Sequence, residues 1–511
     1  MLKFIFPSIA IFFLLSCGKK NNSDHKNNSK PIEQMKNESF WSKSIVWGQC
    51  PPVRKEQKDQ KELSNTEPDI NLISSIQFEC GTFPVPIDWN NPNGEIINLA
   101  LKKAISPNQT SKVGYLIFNP GGPGGSGVAI LESVLKLNPK LIQNFDIIGF
   151  DPRGIHASAG IKCNDSLDSN LFSFFDSEQN FRRMQTKIKN LRESCIEHSG
   201  KLIDFVNTEN VVKDLEAMIV ALGNKKLNYL GISYGTSIGA TYAYRYPNNT
   251  RVMVLDGVLD LSKPFLETVK AETEAVKTTF QQFAEFCFNS SKCGFSFKQI
   301  SSIFQNLKDE YEVRSDSEII KVSKSFLQTY LSNAVTNAEN WELMANVFRQ
   351  LENSAQKEIE LPISSDFSGF IQIFAVHCLD YPVSNLTWNE YLKLKEASKE
   401  IFPELNGHII TLNIHGICSA WKGKRQDPLI VNHSLNISQP ILFVSSPFDA
   451  ITPHRSAILK HQQIKGSKLL EALVFKHGAS LLPNATCVQD NVNQFLTTVS
   501  LPTDYLFCTG K

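Results

Sequence analysis

Apolar residues fall along this chain in two rhythms, and the alternation between them predicts the architecture. Short, continuously apolar runs at Gly114–Asn119, Phe145–Phe150, Val252–Leu255, Ile441–Ser445 and Leu469–Phe475 have the length of strands buried on both faces. Another opens at Leu227. Between them the spacing changes: Val211, Val212, Leu215, Met218, Ile219 and Leu222 make the stripe of a helix laid on a sheet, with Thr208 as its expected N-cap and Gly223 as its end. Further helices are predicted over Val128–Leu137, behind the Leu227 run and from Arg455. Ahead of all these, Phe78–Trp89 and Ile96–Ala104 read as a hairpin around Asn91-Pro92-Asn93-Gly94.

An insertion bracketed by Cys163 and Cys195 carries helical spacing at Phe181, Met184, Ile188 and Leu191. From 261 to 438 the strand rhythm gives way to helical spacing, first through Phe265, Leu266, Val269, Val276, Phe280, Phe283 and Phe286. Helices are then expected at Lys324–Val335, Trp341–Leu351, Phe370–Cys378 and Trp388–Ile401. Strands separated by helices imply an α/β fold with a mostly parallel central sheet covered on both faces. The core is expected over 46–260 and 439–511, with 261–438 a large helical cap inserted between late strands and lying over the sheet's carboxyl edge.

Composition changes the picture at the N-terminus. Lys3 precedes the apolar run Phe4–Leu15 and then Ser16-Cys17, too short to span a membrane but right for a secretory signal. Leu14-Leu15-Ser16-Cys17 resembles a bacterial lipobox, which implies a signal peptide over 1–17 and a lipid on Cys17; the plainer alternative is a signal peptide with an incidental cysteine. Residues 18–45 follow as a flexible tether, rich in Asn, Lys and Ser and too poor in apolar groups to fold. The expected location is therefore the bacterial envelope: exported, lipid-anchored, at the outer membrane, cell surface or periplasm. Of eleven cysteines, setting aside Cys17 leaves Cys50, Cys80, Cys163, Cys195, Cys287, Cys293, Cys378, Cys418, Cys487 and Cys508, with no close C-x-x-C pair to suggest a metal. Disulfides are expected, paired in sequential order because each such pair brackets a local segment, although sequence does not fix the connectivity. A net charge of +1 gives no reason to expect nucleic acid as a partner.

The candidate chemistry lies at Gly231-Ile232-Ser233-Tyr234-Gly235, between the Leu227 run and a helix rich in small residues. A bare G-x-S-x-G is usually only a turn. In the order strand, motif, helix it is the turn that lifts a nucleophilic serine out of a sheet. Ser233 then needs a histidine base and a carboxylate to orient that base. Asp449 follows the Ile441 strand and His477 follows the Leu469 strand, the chain order this arrangement requires. The bland readings are a helix-capping turn aspartate and an exposed loop histidine. His156 and His377 are the rival bases, the first on the wrong side of Ser233 and the second on a cap helix. The run Pro120 to Gly127 lacks the Lys-Ser/Thr ending of a phosphate loop and reads better as a source of oxyanion amides, with Gly122, Gly121 and Tyr234 as donors. This chemistry calls for no cofactor and no metal.

Several segments together resemble one family: NPGGPGGSG at 119–127, FDIIGFDPRG at 145–154, LGISYGTSIGATYAYRYP at 230–247, VLDGVLD at 254–260, FDAITP at 448–453 and HGASLLPNATC at 477–487. They are similar to the tripeptidyl-aminopeptidase branch of the α/β-hydrolase serine peptidases, relatives of prolyl aminopeptidase. The likeness runs from about Trp47 to Cys508 and takes in Trp341 with Ala345, Cys378-Leu379-Asp380 and Cys418 with Trp421. It implies the α/β-hydrolase fold, a Ser233, Asp449 and His477 triad, and a peptide substrate cut near its free N-terminus to release short peptides, expected to be tripeptides. Departures occur at His156-Ala157, at Ser446-Pro447 and at Lys476, none of which removes a catalytic atom. An exopeptidase must hold an α-ammonium, and Glu339, Glu342 and Asp380 are the candidate carboxylates. The alternatives are a carboxylesterase or lipase using the same triad and a surface lipoprotein that keeps the fold without catalysis. Oligomeric state is not legible.

Overall fold

The computed structural model describes residues 43–51 and 75–509, apart from 107–111, 165–174, 176, 225, 261–264, 292, 316–317, 353–357, 362–368, 382–385, 409, 424–439 and 484. The expected signal peptide, Cys17 and almost all of the tether lie outside the described residues. Among the described residues, no helix is long and apolar enough to cross a membrane.

The strands of the main sheet, in chain order, are β1 (Val46–Gln49), β2 (Gln77–Pro86), β3 (Ile96–Ile105), β4 (Gly114–Asn119), β5 (Phe145–Phe150), β6 (Leu227–Ile232) and β7 (Thr250–Asp256). A smaller sheet, β8 (Glu310–Ser315), β9 (Glu318–Ser323) and β10 (Glu358–Glu360), intervenes before β11 (Ile441–Ser445), β12 (Lys468–Leu473) and β13 (Tyr505–Thr509) complete the main one. Its ten strands lie in the order β1-β2-β3-β5-β4-β6-β7-β11-β12-β13. The β1–β2, β2–β3 and β3–β5 pairs are antiparallel and the remaining pairs parallel. The expected hairpin is the β2–β3 pair.

Strand alternation divides the interior into two cores. Leu116, Phe118, Leu230 and Val254 point to the face covered by helices Gly127–Leu137 and Thr486–Thr498, while Ile117, Tyr229 and Leu255 point to the other, larger core. Central strands β5 and β6 are buried at every position, which is why they read as unbroken apolar runs.

The helices are α1 (Gly127–Leu137), α2 (Glu178–Ser199), α3 (Thr208–Ala221), α4 (Tyr234–Arg245), α5 (Phe265–Asn289), α6 (Phe297–Gln305), α7 (Lys324–Ala334), α8 (Trp341–Glu352), α9 (Gly369–Asp380), α10 (Trp388–Ile401), α11 (Ile410–Trp421), α12 (His454–Gln463) and α13 (Thr486–Thr498). Helices α5 to α11 lie in the chain between β7 and β11, two strands that pair directly with each other.

Two expectations need correction. The N-cap of α3 is Asn207, whose side chain accepts from Asn210 N, so Thr208 is the first helical residue and its own donors turn elsewhere. The stretch 261–438 is not purely helical: β8 and β9 form an antiparallel hairpin, with Tyr311, Val313 and Val322 buried along it, and β10 adds in parallel. Strand β13 and helix α13 were not anticipated, although Val488, Val492, Phe495 and Leu496 carry a clear helical spacing.

The disulfides follow the expected sequential order. They join Cys50–Cys80, Cys163–Cys195, Cys287–Cys293, Cys378–Cys418 and Cys487–Cys508. The fourth ties α9 to α11, and the last ties α13 to the edge strand β13. In an oxidising compartment each such bridge is worth roughly 2–4 kcal/mol through the unfolded chain.

Candidate active site

Parallel strands deliver their following loops to one sheet edge, and that edge gathers the candidate residues. At the end of β6, Ser233 adopts φ 67° and ψ −129°, backbone that a non-glycine residue rarely takes. Its N–H donates to the carbonyl of Asp256 at 2.7 Å. The flanking glycines are sterically required: a Cβ on Gly231 would lie 2.5 Å from the carbonyl oxygen of Gly235, and one on Gly235 would lie 2.7 Å from that of Asn119. The serine is thereby held at the start of α4, and its Oγ hydrogen-bonds His477 Nε2.

His477 comes from the loop after β12. Its Nδ1 meets Asp449 Oδ2 at 2.7 Å. Asp449, in the loop after β11, is fixed in turn, its Oδ1 accepting from the amides of Ile451 and Thr452 at 2.9 Å each and its Oδ2 from Thr452 Oγ1 at 2.7 Å. Thr452 Oγ1 also stands 3.2 Å from His477 Nδ1. Burial of the imidazole opposes its proton, but the carboxylate of Asp449, helped by Asp256, outweighs that and raises the His477 pKa above the usual histidine value. The three side chains singled out in the sequence thus form one continuous relay.

The glycine run lies beside this relay. Gly121, at φ +88°, packs so closely that a Cβ would sit 2.4 Å from Ile232 O and 2.8 Å from both Ser233 Cβ and Tyr234 N. Its own N–H donates to Asn119 Oδ1 at 2.9 Å, which removes it from the expected oxyanion donors. Gly121 therefore contributes through its bare Cα, and Gly122 and Tyr234 remain as the donor candidates.

The carboxylates expected at a substrate amine are not equivalent. Asp380, at the end of α9, is buried and engaged: Oδ1 accepts from Thr208 N and Oδ2 from Thr208 Oγ1, both at 2.8 Å, and Oδ2 also accepts from the phenol of Tyr234. Burial pushes its pKa up to about 6 against the pull of these donors. It joins the helical block to the residue after Ser233, so the amine-binding expectation is corrected to a structural junction. Sequence pattern does not reveal this, because both partners lie far away in the chain. Glu339 pairs with Lys476 at 2.5 Å, next to His477, and Glu342 lies in the first turn of α8.

The rival histidines stand apart from the relay. His377 is buried and stacked on Tyr381 at 4.0 Å, and burial lowers its pKa to about 3. His156 is exposed, and its backbone N–H donates to Gln372 Oε1 of α9 at 3.1 Å. Two residues whose part in the site sequence reasoning missed are Thr452 and Asp256. Among the described residues, no cluster of three or more His, Cys, Asp or Glu side chains is arranged to hold a metal ion.

Comparison with known proteins agrees with this geometry. The family described as the alpha/beta hydrolase fold matches residues 114–475. The tripeptidyl aminopeptidase of Streptomyces coelicolor is 29% identical over 456 residues, covering 84% of this chain and 82% of that protein. The serine protease Hip1 of Mycobacterium tuberculosis is 27% identical over 421 residues, covering 76% and 80% respectively. A carboxylesterase B of the same species is 24% identical over 493 residues, covering 90% and 92%. The family match reaches from β4, which leads into the glycine run, to Phe475, two residues ahead of His477, and the chain accordingly belongs to the α/β-hydrolase fold family.

Proposed function

We propose that this chain is a serine exopeptidase that releases short peptides, of tripeptide size, from the N-terminus of peptide substrates. The observation that carries the reading is the unbroken relay Ser233–His477–Asp449 at the strand-to-helix turn. His477 Nε2 takes the proton of Ser233 Oγ as that oxygen attacks the scissile carbonyl. Asp449 holds the imidazole in the tautomer that leaves Nε2 free to accept and balances the charge that develops. The oxyanion forms against the Gly122 and Tyr234 amides. His477 then returns the proton to the leaving amine, and water repeats the sequence on the acyl-serine. The amino-peptidase character rests on the relatives named tripeptidyl aminopeptidase and serine protease. With Asp380 buried among its donors, the more exposed Glu342 and Glu339 are the candidates for holding the ammonium, Glu339 by exchanging Lys476 for the substrate.

A carboxylesterase is the second reading, favoured by the relative named carboxylesterase B. Turnover of free and N-acetylated tripeptide anilides separates the two. An exopeptidase loses the blocked substrate, whereas equal turnover of both overturns the exopeptidase assignment. Failure of Ser233 to label with a fluorophosphonate would revive the non-catalytic reading.

Export and lipid anchoring through Cys17 belong to the same proposal, supported by the lipobox-like LLSC and by a set of disulfides suited to an oxidising compartment. Metabolic labelling with a fatty acid tests it: Cys17→Ser should abolish the label, and labelling that persists in this variant excludes the site.

A further inference from the structure

Behind the relay lies a second buried carboxylate that the mechanism above does not use. Asp256 closes β7, the strand next to the nucleophile strand, and is 1% exposed. Its main-chain carbonyl accepts the Ser233 N–H at 2.7 Å. Its side-chain Oδ2 accepts from both the N–H and the Oγ of Ser480, at 2.7 and 2.6 Å, and Ser480 lies in the loop that carries His477. The next residue, Gly257, is pinned to β11 by its N–H on Val444 O at 3.0 Å, and a Cβ there would lie 2.6 Å from His477 Cε1. Asp256 thus holds Ser233 through its backbone and the loop of His477 through its side chain.

We propose that Asp256 is a positioning residue of the hydrolase site, setting the distance between Ser233 and His477 and adding its negative charge to that of Asp449 behind the imidazole. The inference rests on the triad reading above. The groups that face its carboxylate are Ser480, His477 and Asp449: the first two favour the anion and Asp449 opposes it. Burial is the largest influence and brings the Asp256 pKa up to about 6, so the group is ionised when His477 works as a base at neutral pH. In the other direction, Asp256 helps His477 to hold a proton. A purely structural aspartate would fix the loop without affecting the base.

The test is Asp256→Asn, which preserves shape and leaves an acceptor for Ser480. Loss of the charge should move the acid limb of kcat/KM to lower pH by about 0.5 unit or more and lower kcat roughly tenfold through looser placement, with KM little changed. NMR titration of the resting enzyme, labelled at histidine ring carbons, reads the same His477 shift without turnover. If that variant does not fold, Ser480→Ala, which removes one donor to the anion, should move the limb the same way by less. An acid limb and a His477 titration both unmoved overturn the proposal, whatever the variant's stability. The controls are separable: an active Ser233→Ala enzyme sinks the triad reading, whereas an inactive one beside an unshifted Asp256→Asn sinks only this inference.

Discussion

The phenol of Tyr234 donates to Oδ2 of Asp380, joining the residue after Ser233 to the last residue of a helix 146 positions away. Tyr234 therefore has two ends with different duties. Its backbone opens α4 beside the glycine run, and its side chain, with that of Thr208, anchors α9. Nearby, Gly124 packs within 3.1 Å of Ile373 if given a Cβ, so α9 is held down along the same edge. Tyr234→Phe removes one donor from a buried carboxylate and should cost about 1–3 kcal/mol in chemical denaturation. The same variant should lower kcat/KM, because the amide it displaces is an oxyanion candidate; unchanged kinetics with reduced stability would confine the bond to a structural role.

Ser233→Ala should lower kcat by at least roughly 10⁴-fold with little change in melting temperature. Asp449→Asn should fall by about 10⁴-fold as well, because it selects the wrong imidazole tautomer. Steady-state kinetics beside thermal denaturation of the purified variants checks both.

Gly257→Ala places a methyl 2.6 Å from His477 Cε1, in backbone of φ +69°. The imidazole must give way. Activity should drop by about 10²-fold if the ring shifts by about 1 Å, while fluorophosphonate labelling slows in proportion.

The raised pKa of His477 sets the acid side of the rate profile. The imidazole is the base only when neutral, so kcat/KM should fall as pH drops through a value above the ordinary 6.5. A limb below that value would show that Asp449 does not hold the imidazole as the geometry requires.

Asp256 predicts a pH-dependent stability with a definite sign. Its folded pKa, about 6, lies above the 3.8 of the free carboxyl, so ionisation destabilises the fold fully above pH 6 and not below about 4. Asp256→Asn should accordingly be more stable than the parent at pH 8, by up to roughly 3 kcal/mol, with the advantage fading toward pH 4. Urea denaturation across that range is the measurement.

Much of the site was legible because its parts are local. A strand followed by Gly231-Ile232-Ser233-Tyr234-Gly235 carries its own geometry, and Asp449 and His477 each follow a recognisable strand. What was not legible depends on partners remote in sequence. In the sequence Asp380 is one acidic residue among several, and only the fold brings Tyr234 and Thr208 to its carboxylate. Gly121 looked like an amide donor until Asn119 took its N–H. Asp256 stands in the family-like segment VLDGVLD, but its role is not legible there, since it arises only where β7 meets the loop after β12. In the helical region, the β8–β9 hairpin was hidden by helical spacing on either side, while the spacing of Val488, Val492 and Phe495 in α13 was there to be read.

Strands β7 and β11 pair directly, with Ile441 beside Met253 and Val444 beside Asp256, although the whole helical block separates them in the chain. An excursion that departs and returns between adjacent strands leaves the hydrogen-bond ladder beneath it unbroken. The ladder therefore does not depend on the block, whereas the turn after β6 is tied to it through Tyr234 and Asp380. The register that sets Val444 beside Asp256 is thus held by neighbours in the sheet and not by continuity of the chain.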